Sequence, residues 1–347
     1  MSEHASVSPR SRRSRWLRIL GFTCAALALC VICLVGFVEV RGNPSYDSPR
    51  TGITASDDPE IIARGEDLFH GAMHCTACHA PSWERLARDN PIGLVEPTGG
   101  QEWDIPGLGT IRAPNLSSDE VHGVGAKSDE HLASVLKHGV GEDGSVQLFM
   151  SMAVGMASDE DIQAVISYMR TLPASDHEVA PSELAFGGRA MMAFGVFGPK
   201  MLPTPNFVPP TNAPSVERGE YLAKGPAKCS QCHSPHDPFD GMALSAPLFS
   251  GCLEAEPGKV DPDVEYCAPN LTPHPEHGRL SNWSEEEFLR RLAAGFLDRN
   301  SVMPWGHYGM MSEVDQRSIF RYLQSLDPVA RDSGPSVRAT GSWPPHG

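Results

Sequence analysis

The chain has 347 residues, 40% apolar and 20% charged, enough apolar content for ordered domains and too much for a disordered chain. Its 43 acidic residues outnumber 28 Lys and Arg for a net charge of −15, and five of the Arg lie within residues 1–18, so the remainder is more acidic still. Sequence-independent binding to a nucleic-acid backbone needs a basic footprint, so nucleic acid is excluded as a partner.

Residues 19–38 are twenty consecutive positions without a charge. At 1.5 Å per residue they cover a hydrocarbon core of about 30 Å. Arg10, Arg12, Arg13, Arg15 and Arg18 precede the run, so the positive-inside tendency keeps 1–18 as a basic cytoplasmic tail and everything after Glu39 outside. Two other readings compete. A cleaved signal peptide has a shorter apolar region and a small-x-small site, and none closes this run before Glu39; a lipoprotein site at Cys30 wants a small residue where Leu29 stands. The expectation is an uncleaved anchor over 19–40, single-pass in the cytoplasmic (inner) membrane. A linker over 41–57 follows, and the rest of the chain lies on the periplasmic side.

A first domain is expected over 58–173. Its opening helix carries Ala63-Arg64-Gly65-Glu66 and leads to Cys75-Thr76-Ala77-Cys78-His79. Two thiols one helical turn apart can add to two vinyl groups on one porphyrin edge, and the adjacent His then reaches the iron; C-x-x-C-H is the attachment signature of c-type haem. A middle helix starts at Ser128-Asp129-Glu130 ahead of Leu132, Val135 and Leu136. The closing helix has a Ser158 cap, an apolar face of Ile162, Val165, Ile166 and Met169, and Pro173 as its stop. Taken one by one, His70, His74, His131, His138 and His177 read as surface residues. Residues 174–214 form an inter-domain segment whose prolines forbid a long regular element. Within it 185–202 is too apolar for a solvated linker, and is expected to pack across the two domains or over a cofactor edge; a second membrane contact is the sharper alternative.

Residues 215–328 repeat the first domain at an offset near 154. Glu217-Arg218-Gly219-Glu220, Cys229-Ser230-Gln231-Cys232-His233, Ala268-Pro269-Asn270-Leu271 (answering Ala113-Pro114-Asn115-Leu116) and the Ser312…Asp315…Tyr322…Leu326 helix all have counterparts. A capping box at Ser284 and Glu287 starts its middle helix, which ends near Gly295. A C-terminal tail, 329–347, is expected to lie over the surface or be loose. No alternating strand pattern of useful length is present, so the fold class is all-α. Cys252 and Cys267 can close a loop as a disulfide in an oxidising compartment, free thiols being the alternative. Zinc is disfavoured because the two C-x-x-C pairs lie far apart, and a thioredoxin-like redox motif because no βαβ pattern surrounds them.

Two C-x-x-C-H motifs at matching points predict two covalently attached haem c groups, held by Cys75, Cys78 and His79, and by Cys229, Cys232 and His233. The distal ligand decides the chemistry, since Met closes the iron and raises its potential. Met303 stands in Met303-Pro304-Trp305, nine residues before Ser312, with His307 as its rival. Met150 occupies the corresponding place in Phe149-Met150-Ser151-Met152, with Met152 or an open position as alternatives. Met310 and Met311 read as core, and Met156 as the partner of Met310.

With these residues in view the chain resembles the class I cytochrome c family, as two tandem domains behind one N-terminal transmembrane helix. It is similar to the cytochrome subunits that accompany periplasmic dehydrogenases of the alcohol, aldehyde, gluconate and nicotinate types. The resemblance rests on Arg-Gly-Glu before C-x-x-C-H, the Asn-Leu-Ser/Thr loop and Met-Pro before the closing helix, over residues 60–328. It implies that the first helix crosses the last through Gly65 with Tyr168 and Gly219 with Tyr322, and that Asn115 and Asn270 border the haem edge. The expected function is transfer of single electrons from a periplasmic or membrane dehydrogenase toward a soluble cytochrome or terminal oxidase, without enzyme activity of its own. The alternative is a dihaem enzyme such as a peroxidase or thiosulfate dehydrogenase; a haem-based sensor lacks an output domain in the short cytoplasmic tail.

Overall fold

Serine hydroxyls open the helices where the sequence places them ahead of an apolar face. The computed structural model describes residues 9–82, 95–148, 150, 154, 156–196, 213–236, 244–253, 255–258, 261–298 and 300–342. In chain order these form α1 (Pro9–Arg41), α2 (Pro59–Asp67) with a π-helical turn (Leu68–Ala72), α3 (Cys75–His79), β1 (Glu102–Ile105), β2 (Gly109–Arg112), α4 (Asp129–His138) and α5 (Asp159–Met169). There follow β3 (Glu183–Leu184), α6 (Phe186–Ala193), α7 (Val216–Lys224), α8 (Cys229–His233), β4 (Glu256–Pro257) and β5 (Val264–Tyr266). The last elements are α9 (Glu285–Ala293), α10 (Trp305–Met310), α11 (Glu313–Gln324) and β6 (Val337–Ala339). Ser128, Ser158, Ser215 and Ser312 each accept a bond from the amide three residues on, and Ser284 with Glu287 completes the capping box.

The chain is mostly helical, as expected, but it also contains two small sheets of order β1-β2-β3 and β4-β5-β6. Their strands have two to four residues, too short to show a period of two. In the second sheet β6 pairs antiparallel with β5, Val264 opposite Ala339. The tail is therefore part of the fold through residue 342 rather than loose. Cys252 and Cys267 are joined as a disulfide, their Cα atoms 5.7 Å apart.

The described residues group into two compact units. The first comprises residues 9–44, 104–110 and 183–196. Its helix α1 is apolar over Trp16–Arg41, long enough to cross a membrane, and its outward side chains are exposed along that length. Only the end of α1 is packed within the unit: Val38 is wholly buried, the Phe37 and Phe194 rings lie 5.2 Å apart, and Arg189 Nη1 bonds Glu39 Oε2 at 2.9 Å. The amide of Ala185 donates to the Leu108 carbonyl at 2.9 Å, fastening the β1–β2 turn to the start of α6. Residues 185–196 thus pack on the end of α1 within this unit; 197–202 lie outside the described residues.

The second unit holds both repeats. In the first α2 crosses α5, and in the second α7 crosses α11. A Cβ on Gly65 would collide with the Ala164 carbonyl and lie 2.8 Å from Tyr168 Cβ; one on Gly219 would collide with the Ser318 carbonyl and lie 2.7 Å from Tyr322 Cβ. Both glycines exist for backbone approach. Leu68, Phe69, Ile162 and Ile166 of one repeat and Leu222, Phe249, Ile319 and Leu323 of the other belong to one buried cluster.

The repeats grip each other reciprocally. Gly71 lies against Met311, and its counterpart Gly225 lies against Met156. Met156 and Met311 both lie just ahead of the serine that caps their closing helix, Ser158 and Ser312. Two buried asparagines secure the loops after the C-x-x-C-H helices. Asn115 Nδ2 donates to the carbonyls of Ser175 (2.9 Å) and His177 (3.0 Å); Asn270 Nδ2 donates to those of Val329 (2.8 Å) and Arg331 (3.1 Å). Each Oδ1 accepts an amide two residues on, from Ser117 and Thr272, both at 2.9 Å. Asn270→Ala is expected to destabilise the protein by about 2–3 kcal/mol, because several buried groups lose partners together. Denaturant unfolding measures it, and a loss below about 0.5 kcal/mol would show that the loop is not held this way.

Candidate functional site

The two C-x-x-C-H segments are short helices built alike. The residue before each first cysteine has left-handed backbone, His74 at φ 41° and Lys228 at φ 51°, uncommon for residues other than Gly. His74 N donates to the Gly71 carbonyl and Lys228 N to that of Gly225, both at 3.1 Å. Ala77 N and Gln231 N, at 2.9 Å, then start the helices on the carbonyls of His74 and Lys228. In each motif the first cysteine is half-buried and the second exposed. Burial pushes the Cys75 and Cys229 thiols up to about 12, so both are protonated at neutral pH.

Both histidines are buried and share one arrangement. His79 Nδ1 donates to the Pro114 carbonyl at 2.7 Å, and His233 Nδ1 to the Pro269 carbonyl at 2.8 Å. Burial lowers the pKa of both rings, that of His233 to about 4, so each imidazole is neutral. A neutral ring with its proton on Nδ1 carries its lone pair on Nε2, the state a metal-ligating histidine needs. The two thiols of each motif, one turn apart on a helix, and this fixed tautomer fit a covalently held haem. Among the described residues no three His, Cys, Asp or Glu side chains converge as an alternative metal site. The proline carbonyls escaped the sequence reading. The repeated Ala-Pro-Asn-Leu was their signal, but the group that acts is backbone.

Of the distal candidates, Met150 and Met303 are half-buried against the core cluster that also receives Cys75 and Cys229. The Met303 carbonyl accepts from Trp305 N at 2.8 Å, which fixes the loop at the start of α10. Met152 lies outside the described residues. His307, the rival of Met303, is wholly buried with Nδ1 on the His70 carbonyl of the other repeat at 2.9 Å, so its ring is part of the contact between repeats. His70 is not a surface residue either: it is 8% exposed and its Nε2 pairs with Tyr168 Oη at 2.8 Å.

A buried charge cluster lies between the repeats. Arg218 Nε meets Asp315 at 2.9 Å and Arg64 Nε meets Asp161 at 3.2 Å; Arg64 Nη1 also crosses to Asp315 at 3.0 Å, and Tyr221 Oη donates to Asp161 at 2.7 Å. Arg64 and Arg218 come from the repeated Arg-Gly-Glu, and Asp161 and Asp315 from the repeated closing helix. The sequence thus marked all four positions without revealing that they meet.

A family model described as cytochrome c matches residues 62–173. The chain is 30% identical over 295 residues to a diheme cytochrome c-type protein of Cereibacter sphaeroides, covering 78% of this chain and 90% of that protein. It is 31% identical over 145 residues to the cytochrome c subunit of a quinone alcohol dehydrogenase of Gluconobacter oxydans, covering 39% of this chain and 28% of that subunit. Over 325 residues it is 26% identical to the fructose dehydrogenase cytochrome subunit of Gluconobacter japonicus, covering 90% of this chain and 61% of that subunit. The chain therefore spans less than a third of the alcohol dehydrogenase subunit and most of the dihaem protein.

Proposed function

The chain belongs to the c-type cytochrome family, with haem c as cofactor and electron transfer as its task, and on that premise we propose that it is a membrane-anchored carrier with two haems, one in each repeat. The observation that carries this reading is the matched pair of C-x-x-C-H helices, each with its histidine Nδ1 held by a proline carbonyl at 2.7 or 2.8 Å. Cys75 and Cys78 hold one group and Cys229 and Cys232 the other; His79 and His233 are the proximal ligands, Met150 and Met303 the distal ones. When bound, haem c supplies a one-electron iron couple. The chain's part is to orient the imidazoles through Pro114 and Pro269, to fasten those loops through Asn115 and Asn270, and to exclude water with the core around the cysteines.

The electron donor is a periplasmic or membrane dehydrogenase, supported by the relatives that are cytochrome subunits of such enzymes. The acceptor is a soluble cytochrome or a terminal oxidase. The domains run over 58–173 and 215–328, on the periplasmic side of α1. The burial of Val38 and the contact of Phe37 with Phe194 favour an uncleaved anchor, since cleavage before residue 39 would remove both from the unit. A net charge of −15 suits a basic partner surface. Reduction by the donor should therefore slow as ionic strength rises, and stopped-flow rates in a salt series check it; salt-independent rates would point to an apolar contact.

Mass spectrometry of protein matured in a host with haem-attachment machinery tests the central claim: the expected mass is that of the polypeptide plus two haems. One haem, or none, would overturn it. Magnetic circular dichroism should then show a sulfur ligand on both ferric irons. Met303→Ala should open only the second haem to carbon monoxide, and an unchanged spectrum would remove Met303 from the ligand set. A high-spin iron in the native protein would transfer the reading to the dihaem enzymes.

A further inference from the structure

Among the described residues of its unit, none covers the face that α6 turns outward. Phe186, Met191, Phe194 and Val196 are 43%, 41%, 63% and 56% exposed. Between residues 185 and 196 Arg189 is the single charged residue, and it is drawn aside onto Glu39. Four large apolar side chains on one short, otherwise uncharged segment form a patch of the kind that marks a binding surface. Met192, by contrast, is buried at 6%, so the segment has a packed side and an open one.

The end of α1 says what covers the open side. Phe37 is the next-to-last residue of the uncharged run 19–38, so it stands where the hydrocarbon core ends. Its ring lies 5.2 Å from that of Phe194, which fixes Phe194 at the same depth. Glu39 and Arg189, at 2.9 Å, form the next layer outward, where headgroups and water receive charge. The apolar surface of α1 thus continues through Phe37 onto Phe194. Beside it the β1–β2 turn offers Pro106 and Gly107, exposed and uncharged, with the Gly107 carbonyl against Gly187.

We infer that α6 and the residues up to Val196 form an interfacial membrane contact, seated on the acyl-chain boundary of the leaflet from which α1 emerges, with phospholipid as the occupant of the open face. The inference rests on the reading of α1 as an uncleaved anchor. It gives the first unit two footholds on one leaflet, a span and a surface segment, tied together by the Phe37–Phe194 and Glu39–Arg189 contacts.

The test uses the full-length haem-loaded protein in phosphatidylcholine nanodiscs that include a phospholipid with a photoactivatable diazirine on its acyl chain, and reads labelled peptides by mass spectrometry. Labelling of 185–196 should approach that of α1 and exceed that of α4 about tenfold. Phe186→Ser with Met191→Ser should lower the 185–196 signal about fivefold without changing that of α1. Label on α1 with none on 185–196 would overturn the surface seat, leave the anchor standing and assign the patch to a protein partner. No label on α1 would overturn the anchor reading and this inference with it.

Discussion

Gly219→Ala is expected to destabilise the protein by about 3 kcal/mol or more, and Gly65→Ala by a similar amount. The added methyl has no room, since it would run into the Ser318 carbonyl in one case and the Ala164 carbonyl in the other. The obstacles are helix backbone, which cannot rotate aside as a side chain can, so α7 must lift from α11, or α2 from α5. Lifting loosens Leu222 and Ile319, or Leu68 and Ile162, all buried at 4% exposure or less. Thermal unfolding of the haem-loaded protein checks the effect, and the midpoint should fall by about 6–12 °C. Gly36→Ala is the control, because a methyl there meets nothing within 4 Å. If all three variants melt together, the helices do not cross as closely as described.

Asp315→Ala is expected to cost about 3–5 kcal/mol, because it leaves Arg218 buried without its counter-ion. The Asp315 and Arg218 side chains are 3% and 2% exposed, and Arg218 reaches the carboxylate through Nε at 2.9 Å and Nη2 at 3.2 Å. Arg64 loses its cross-repeat partner as well, although it keeps Asp161. Replacing both members, Arg218→Met with Asp315→Leu, should cost less than the single change, since no charge is then stranded. Burial by itself would raise the Asp315 carboxyl, but Arg218 and then Arg64 outweigh it and hold the carboxyl below its ordinary value. A carboxyl lowered in the fold contributes fully above its unfolded value of about 3.9 and loses that contribution as pH falls through the folded value. Asp315→Asn should therefore flatten the acid limb of the stability curve below about pH 4. Denaturant unfolding across pH decides; an unaltered acid limb would show that Asp315 is not the group that titrates.

The sequence was most legible where a local rule acts. Ser128, Ser158, Ser284 and Ser312 each cap the helix expected of them, and the crossings at Gly65 and Gly219 follow from a motif present twice. The C-x-x-C-H helices lie where the repeat put them. What stayed hidden depends on partners far along the chain or on backbone atoms. The repeated Ala-Pro-Asn-Leu marks the loop, but nothing in it announces that its proline carbonyl will hold a histidine 35 or 36 residues away. The pairing of 337–339 with 264–266 joins strands of three residues, below the length at which alternation can be counted. Arg64 and Asp315 are 251 residues apart, and each looks like an ordinary surface charge until the repeats are brought together.

Gly71 lies against Met311 and Gly225 against Met156, each just ahead of the other repeat's closing helix, and this approximates a two-fold homodimer contact, in which one kind of patch serves both sides. Two separate polypeptides meeting this way come apart on dilution, and their integrity rises and falls with abundance. Joined in one chain, the halves keep a fixed local concentration however scarce the molecule is. A cell can then make few copies and still have every one assembled.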